Sequence, residues 1–202
     1  IIDGEIVDLT SACIILESWD NRYDLDSRGA VLFREWITRY DINATRFSGP
    51  LFAGQFDKEK PALTPLGLVK GEQPLQALAQ AVVLLNSEGI PLDSPLGDVQ
   101  KAHRAGTAFA VHGGNSHEGI ANLQVTRPYI DSPIFSGNND RLSDSKTLSS
   151  SGYNIAHGSS FIMTLNFTDE GPQAQAILSY SQSGAPKSEN FSDQTARYRD
   201  KQ

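Results

Sequence analysis

The segment Gly158-Ser-Ser-Phe-Ile-Met-Thr-Leu-Asn-Phe167 decides how this chain is read. From Phe161 onward, Phe161, Met163, Leu165 and Phe167 alternate with their neighbours, the period-two pattern of a strand that sets these four on one face. Asp169-Glu170-Gly171-Pro172 follows as a turn, and Ala174 to Tyr180 supplies a second run, so the two form an antiparallel pair. Behind them stands an ordered polar string: Ser181-Gln182-Ser183-Gly184, then Ser188, then Phe191-Ser192-Asp193-Gln194. Side chains of this kind satisfy free backbone groups where a chain leaves a sheet. A structural role, not a catalytic one, is expected for Gln182, Ser183, Ser188, Asp193 and Gln194.

Upstream, the texture changes twice. Residues 131 to 152 are rich in Ser, Asp, Asn and Gly and read as a long polar loop within one fold, because strands resume after it. Thr107 to Val111 and Ala121 to Val125 read as strands on either side of a glycine-rich turn. Before that the pattern is helical. Leu9, Cys13 and Leu16 fall at helical spacing between Val7 and Trp19, with Cys13 expected to be a buried, inert thiol. Asp26 or Ser27 can cap a second helix carrying Phe33, Trp36, Ile37 and Tyr40, and the two helices should pack together across the 20–25 turn. Residues 41 to 71, with Pro50, Pro61 and Pro65, read as loops with short helical turns. A third helix starts near Pro74, buries Leu75, Leu78, Ala79, Val82 and Leu85, and ends at Asn86 and Gly89 before Pro91. Leu96 to Ala105 predicts one more short helix, with Gly106 after it. The class is α+β, with a helical first half and an antiparallel β second half.

Composition bounds the function. The 202 residues can bury a substantial core. Seventeen Lys and Arg against 24 Asp and Glu give a net charge of −7, which argues against nucleic acid as a partner. No apolar run approaches the roughly 18 residues of a membrane span. Ile1-Ile2-Asp3-Gly4 has no signal-peptide character, so any export signal is expected outside the chain. The single cysteine excludes an internal disulfide and a cysteine-based zinc site.

The densest polar cluster is His112-Gly113-Gly114-Asn115-Ser116-His117-Glu118. Two histidines five apart beside a carboxylate could hold a metal or form a Ser–His pair. The spacing is not that of a helical zinc motif, and a glycine-rich turn with solvated polar residues explains the same string. His157, before the first C-terminal strand, is expected to hydrogen-bond locally. Asp20, Asp24 and Asp26 invite comparison with a calcium loop. Such a loop needs Gly at its sixth position and Glu at its twelfth, where this chain has Leu25 and Val31. No catalytic, cofactor-binding or metal residue is therefore assigned.

The C-terminal strings, together with Trp19-Asp20, Asp26-Ser27-Arg28-Gly29-Ala30 through Trp36, and Val111-His112-Gly113-Gly114, resemble the C-terminal part of the β chain in the penicillin acylase family. The likeness is to its aculeacin and acyl-homoserine-lactone acylase branch and runs through the whole chain. The resemblance implies an N-terminal nucleophile hydrolase with an αββα-type fold, made as a precursor that cleaves itself into two chains and exported to the periplasm or beyond. Such enzymes hydrolyse linear amides such as the acyl side chains of β-lactams, lipopeptides or acyl-homoserine lactones. In that mechanism a serine heading the β chain attacks, and its own α-amine, of pKa about 8, takes the proton. Residue 1 here is Ile, which has neither hydroxyl nor thiol. The resemblance implies that the nucleophile, oxyanion donors and calcium ligands lie upstream, and no cofactor is expected here.

The expected domain organisation is one segment over 1–202, mainly helical to 106 and mainly β from 107. Its partners would be the α chain and the N-terminal part of the β chain, with the small-molecule amide reached through the parent enzyme. If the piece stands alone, unpaired strands and apolar faces favour a homodimer or domain swap through Phe161 to Phe167, or a compact sub-domain dominated by the helices. The alternative is a non-catalytic binding module with the same fold. An enzyme in its own right, using His112 to Glu118, is the third reading.

Overall fold

The computed structural model describes residues 2, 4–39, 52–104, 106–126, 145 and 147–202. Its helices are α1 (Thr10–Ser18), α2 (Ala30–Ile37), α3 (Glu72–Ser87), the single turn α4 (Leu96–Val99) and α5 (Asp193–Asp200). Its strands are β1 (Phe52–Gly54), β2 (Leu66–Leu68), β3 (Gln100–Arg104), β4 (Thr107–Ala110), β5 (Gln124–Thr126), β6 (Tyr153–Gly158), β7 (Phe161–Thr168) and β8 (Gly171–Leu178). The chain is α+β, as its pattern implies.

The helical layer forms because α2 and α3 pack together, closing a core of Val31, Leu32, Leu78, Val82, Leu85 and their neighbours. Helix α3 carries Pro74 in its first turn and stops in a Schellman arrangement. Gly89 takes φ +67°, its N–H donates to Asn86 O at 3.1 Å, and the Ile90 N–H donates to Leu85 O at 2.9 Å. The buried arc runs through Pro74, Ala77, Leu78, Ala81, Val82 and Leu85. Leu75, expected inside, is 55% exposed, because this arc turns it away from α2.

Helix α2 starts differently from the expectation. Its cap is Gly29 at φ +113°, and neither Asp26 nor Ser27 caps it. The Ser27 hydroxyl instead donates to Asp20 Oδ1 at 2.9 Å and to Arg22 O at 2.7 Å, tying the 20–27 turn to itself. Phe33 and Trp36 are only half-buried, although they pack on the core with Trp19. Tyr40 lies outside the described residues. In α1 the buried residue is Ala12, and Cys13 is exposed, so the expectation of a buried thiol is corrected.

Two expectations about the β region are also revised. Residues 52–54 and 66–68 form a short antiparallel hairpin inside what reads as loop. The helix expected over Leu96 to Ala105 lasts one turn, and Gln100 to Arg104 is a strand with alternating burial. Pairing on both flanks outweighs the helical propensity of Gln-Lys-Ala-His-Arg, since β3 sits between β4 and β6. The four-stranded order is β4-β3-β6-β5. Its outer pairs are antiparallel, but β3 and β6 run parallel, with Gln100 opposite Tyr153, so the sheet is mixed and not wholly antiparallel. Of the loop expected over 131–152, only residues 145 and 147–152 are described.

Strands β7 and β8 form a separate antiparallel ribbon, with Phe161 opposite Leu178 and Phe167 opposite Pro172. Ala102, Val111, Ile155 and Tyr198, with Ile177 beside them, form the small core that joins the mixed sheet to α5 and the base of this ribbon.

A Cβ at position 29 would meet Trp19 Cβ and Cγ at 2.7 Å while also straining the backbone. Gly29→Ala is expected to lose about 1–3 kcal/mol in urea denaturation. Gly184→Ala, where a Cβ meets nothing within 4 Å, is expected to stay within about 0.5 kcal/mol. Equal losses at both positions would contradict the cap geometry.

Candidate functional site

Helix α2 is buried on both sides, so Arg34 and Glu35 lie inside the protein with their charges. An isolated ion there is prohibitively costly, and each must find partners from other elements. Arg34 finds three. Its Nε donates to Glu118 Oε1 at 2.8 Å and its Nη2 to Glu118 Oε2 at 3.2 Å, a bidentate pair with both side chains fully buried. Its Nη1 donates to Gln100 Oε1 at 2.7 Å. The guanidinium carbon also stands 4.5 Å from the Tyr153 ring centroid and 5.4 Å from that of Tyr23.

The partners are held in turn. Gln100, delivered by β3, donates through Nε2 to Val111 O at 2.7 Å and Gly113 O at 3.0 Å. Glu118 closes a capping box on the 116–118 turn, accepting from the Asn115 N–H at 3.0 Å and from Asn115 Nδ2 at 2.8 Å. Asn115 Oδ1 accepts the Thr126 N–H at 3.1 Å. Glu35 accepts from Tyr153 Oη at 2.8 Å, from Thr147 Oγ1 at 3.1 Å and from Ser145 Oγ, and pairs with Arg39 at 3.0 Å. The close approach at 113–114 explains the glycines: a Cβ on Gly114 would meet Glu118 Oε2 at 2.5 Å and Tyr23 Cδ1 at 2.9 Å.

These contacts set the protonation states. Burial acts to lower the Arg34 guanidinium, but the Glu118 carboxylate together with the Tyr23 and Tyr153 oxygens outweighs it and holds Arg34 above its ordinary value. Burial, then the negative charge of Glu35, pushes the Tyr153 phenol well up. Burial, then Glu118, does the same to Tyr23, whose hydroxyl faces that carboxylate without a hydrogen bond of ordinary geometry. Tyr180 is pushed up to about 12, again mainly by burial. Among the described residues, Arg34, Glu35, Gln100 and Glu118 are matched within the protein, and the Tyr23 hydroxyl is buried without a hydrogen-bond partner.

His112 belongs to a second network. Its Nε2 meets Tyr198 O at 2.8 Å and its Nδ1 meets Asn122 Nδ2 at 2.7 Å. Because the Asn122 amide donates, Nδ1 is the acceptor and the proton sits on Nε2. Asn122 Oδ1 accepts from Tyr198 Oη at 2.9 Å, and that oxygen accepts from Gln124 Nε2 at 2.8 Å. The sequence neighbours His112 and Glu118 thus turn to different partners and do not converge on one point. Ser116 is exposed, and the His117 side chain lies outside the described residues. Among the described residues, no three His, Cys, Asp or Glu side chains gather in a metal-holding group.

The other candidates are dispersed. His157 is exposed on β6. Asp20 accepts from Ser27 and the Arg22 N–H, and Asp24 pairs with Lys201. In the C-terminal string, Gln194 Oε1 accepts the Leu178 N–H at 2.8 Å where β8 ends, and Ser188 accepts the Asn190 N–H at 3.2 Å. Ser183 O and Phe191 O accept from Arg104, whose guanidinium also covers the Phe191 ring at 4.2 Å. Asp193 is exposed.

The residues that organise this centre, Arg34, Glu35, Gln100 and Tyr153, escape sequence reasoning. One signal was present: an adjacent Arg-Glu pair inside an otherwise apolar eight-residue helix, which is costly unless both charges are matched elsewhere.

The family model described as penicillin amidase matches residues 4–202. Aculeacin-A acylase of Actinoplanes utahensis is 32% identical over 197 residues, covering 97% of this chain and 22% of that protein. Acyl-homoserine lactone acylase PvdQ of Pseudomonas savastanoi pv. phaseolicola is 29% identical over 207 residues, covering 100% of this chain and 24% of the relative. The PvdQ protein of Pseudomonas syringae pv. syringae is likewise 29% identical, over 201 residues. The chain thus spans about a quarter of the length of the curated relatives it matches.

The buried phenols give the stability a defined alkaline limit. Their folded pKa values lie above the unfolded value of about 10, so the folded state keeps protons that the unfolded state has lost. That stabilisation is complete below pH about 10 and is lost as pH rises through the folded values, about 12 for Tyr180. Urea midpoints are expected to fall between pH 10 and 12, with tyrosinate absorbance appearing only on unfolding for Tyr153. A Tyr153→Phe variant should show a shallower fall; an identical slope would contradict the assignment.

Proposed function

The chain belongs to the penicillin amidase family, and from that premise we propose that it is the C-terminal portion of an acylase β chain that builds the enzyme without carrying its reacting groups. The observation behind this reading is the commitment of the polar cluster. Glu118 is bidentate to Arg34, and both ring nitrogens of His112 are engaged within the protein. A general base needs an accessible, unpaired nitrogen or oxygen within reach of the substrate. Neither group offers one.

In this reading the parent is an N-terminal nucleophile hydrolase with an αββα-type fold that cleaves acyl side chains from linear amides, in the class of lipopeptides, acyl-homoserine lactones or β-lactams. The relatives named for aculeacin A and for acyl-homoserine lactones support that substrate class. The nucleophilic serine, its α-amine and the oxyanion donors would come from the polypeptide upstream, and the parent would work in the periplasm or outside the cell. Roles in antibiotic metabolism or quorum quenching would follow from the substrate. In this reading residues 1–202 act as a single segment that docks with the α chain and the rest of the β chain.

The test is hydrolysis of a chromogenic fatty-acyl anilide. The 202-residue chain alone is expected to give no turnover above buffer, while the longer polypeptide turns over and keeps at least about a tenth of its rate with His112→Ala. Turnover by the isolated chain that vanishes in His112→Ala would place the chemistry within these residues. No turnover by the longer polypeptide on any linear amide would favour the binding-module reading instead.

A further inference from the structure

The β7–β8 ribbon has two unlike faces. Phe161, Met163, Leu165 and Phe167 share one face, opposite Leu178, Ala176, Ala174 and Pro172, so that face is apolar from base to tip. The other face carries Thr164, Asn166, Gln173 and Gln175, with Ile162 and Ile177 at its base. Ile177 packs against the small core of Ala102, Val111, Ile155 and Tyr198, which turns the opposite, apolar face away from this chain's own interior. All four β7 residues on that face are exposed, Phe167 by 79%. A two-stranded ribbon alone in water is marginal. The ties at its base are the Ser179 N–H to Ser160 O at 3.1 Å, Ser179 Oγ to Ser159 O at 2.6 Å and the Leu178 N–H to Gln194.

A contiguous exposed apolar face of this kind marks an interaction surface. The face carries no charge along either strand, with Asp169 and Glu170 confined to the tip, so it suits a dry, apolar cover. The relatives match nearly all of this chain yet extend over about four times its length. We infer that the apolar face of the β7–β8 ribbon is a docking surface for an apolar layer of the same acylase polypeptide outside these residues, packed face-on rather than added as a strand. The inference rests on the reading of this chain as a portion of an acylase. Face-on packing follows from the polarity split: edge addition would leave the apolar face in water, whereas a covering layer removes it and leaves the Thr, Asn and Gln face solvated.

Met163 reports on this directly, because it is the single methionine of the chain and stands in the middle of the face. The native, full-length protein is treated with dilute hydrogen peroxide, and Met163 sulfoxide is followed by peptide mass spectrometry. A synthetic peptide containing Met163 gives the unprotected rate. Oxidation is expected to be at least about tenfold slower than in the peptide, and equally slow when the protein is diluted. Phe167→Glu should raise the rate, while Gln173→Glu on the polar face should not. Oxidation at the peptide's rate in the wild-type protein overturns the inference, and that arm needs no variant to fold. Protection that disappears on dilution also overturns it, since the cover would then be a second copy. The same sample's intact mass and acylase activity test the parent reading separately. An active acylase with Met163 unprotected sinks only the docking face, and a protected Met163 in a protein without acylase activity sinks only the acylase assignment.

Discussion

Two oppositely charged neighbours, Arg34 and Glu35, lie fully buried in one short helix, and the surrounding structure is arranged to match them. They point to different elements. Arg34 reaches β3 through Gln100, and the 115–118 turn through Glu118; Glu35 reaches Ser145, Thr147 and the Tyr153 hydroxyl. Tyr153 touches both, placing its ring against the guanidinium and its hydroxyl against the carboxylate. Removing one member of a buried pair leaves an uncompensated ion and costs about 3–5 kcal/mol, whereas the intact set is close to neutral. Its value is therefore positional. Through Glu118, Asn115 and Thr126 on one side, and through Ser145 and Thr147 on the other, α2 holds the described residues flanking 127–144.

How much of this was legible in the sequence differs by element. The ribbon was, because period-two alternation over Phe161 to Phe167 has no competing reading and the Asp-Glu-Gly-Pro turn fixes its hand-over. The end of α3 was, because Gly89 and Pro91 together permit a left-handed cap and forbid continuation. Gln100 to Arg104 was not: its residues favour helix, and the strand exists only because β4 and β6 lie on either side, a non-local fact. Cys13 and Leu75 were misplaced because helical spacing marks a stripe without saying how wide the facing surface is. The candidate cluster at 112–118 was legible as a set of polar residues but not as a partition. Whether Glu118 turns to a histidine or to Arg34 depends on a residue 84 positions away.

That partition bears on function. The described part of the densest polar cluster is matched internally, Glu118 by Arg34 and His112 by Tyr198 and Asn122. The same chain turns an apolar ribbon face outward. Matched charges inside and an exposed apolar ribbon face outside occur together in a chain that spans about a quarter of the length of its curated relatives.

The central claim is that Arg34 and Glu35 act as one unit holding both flanks of residues 127–144. Amide hydrogen exchange at Thr126 and Leu148, compared between wild type and Arg34→Met, tests it most directly. Thr126 donates to Asn115 and Leu148 to Ser145, so they report the two flanks independently. Both amides should lose protection together, on the order of a hundredfold, while those of β7 and β8 stay unchanged. Loss at Thr126 alone, or at neither, would show that the two charges serve separate neighbourhoods and that the helix does not couple them.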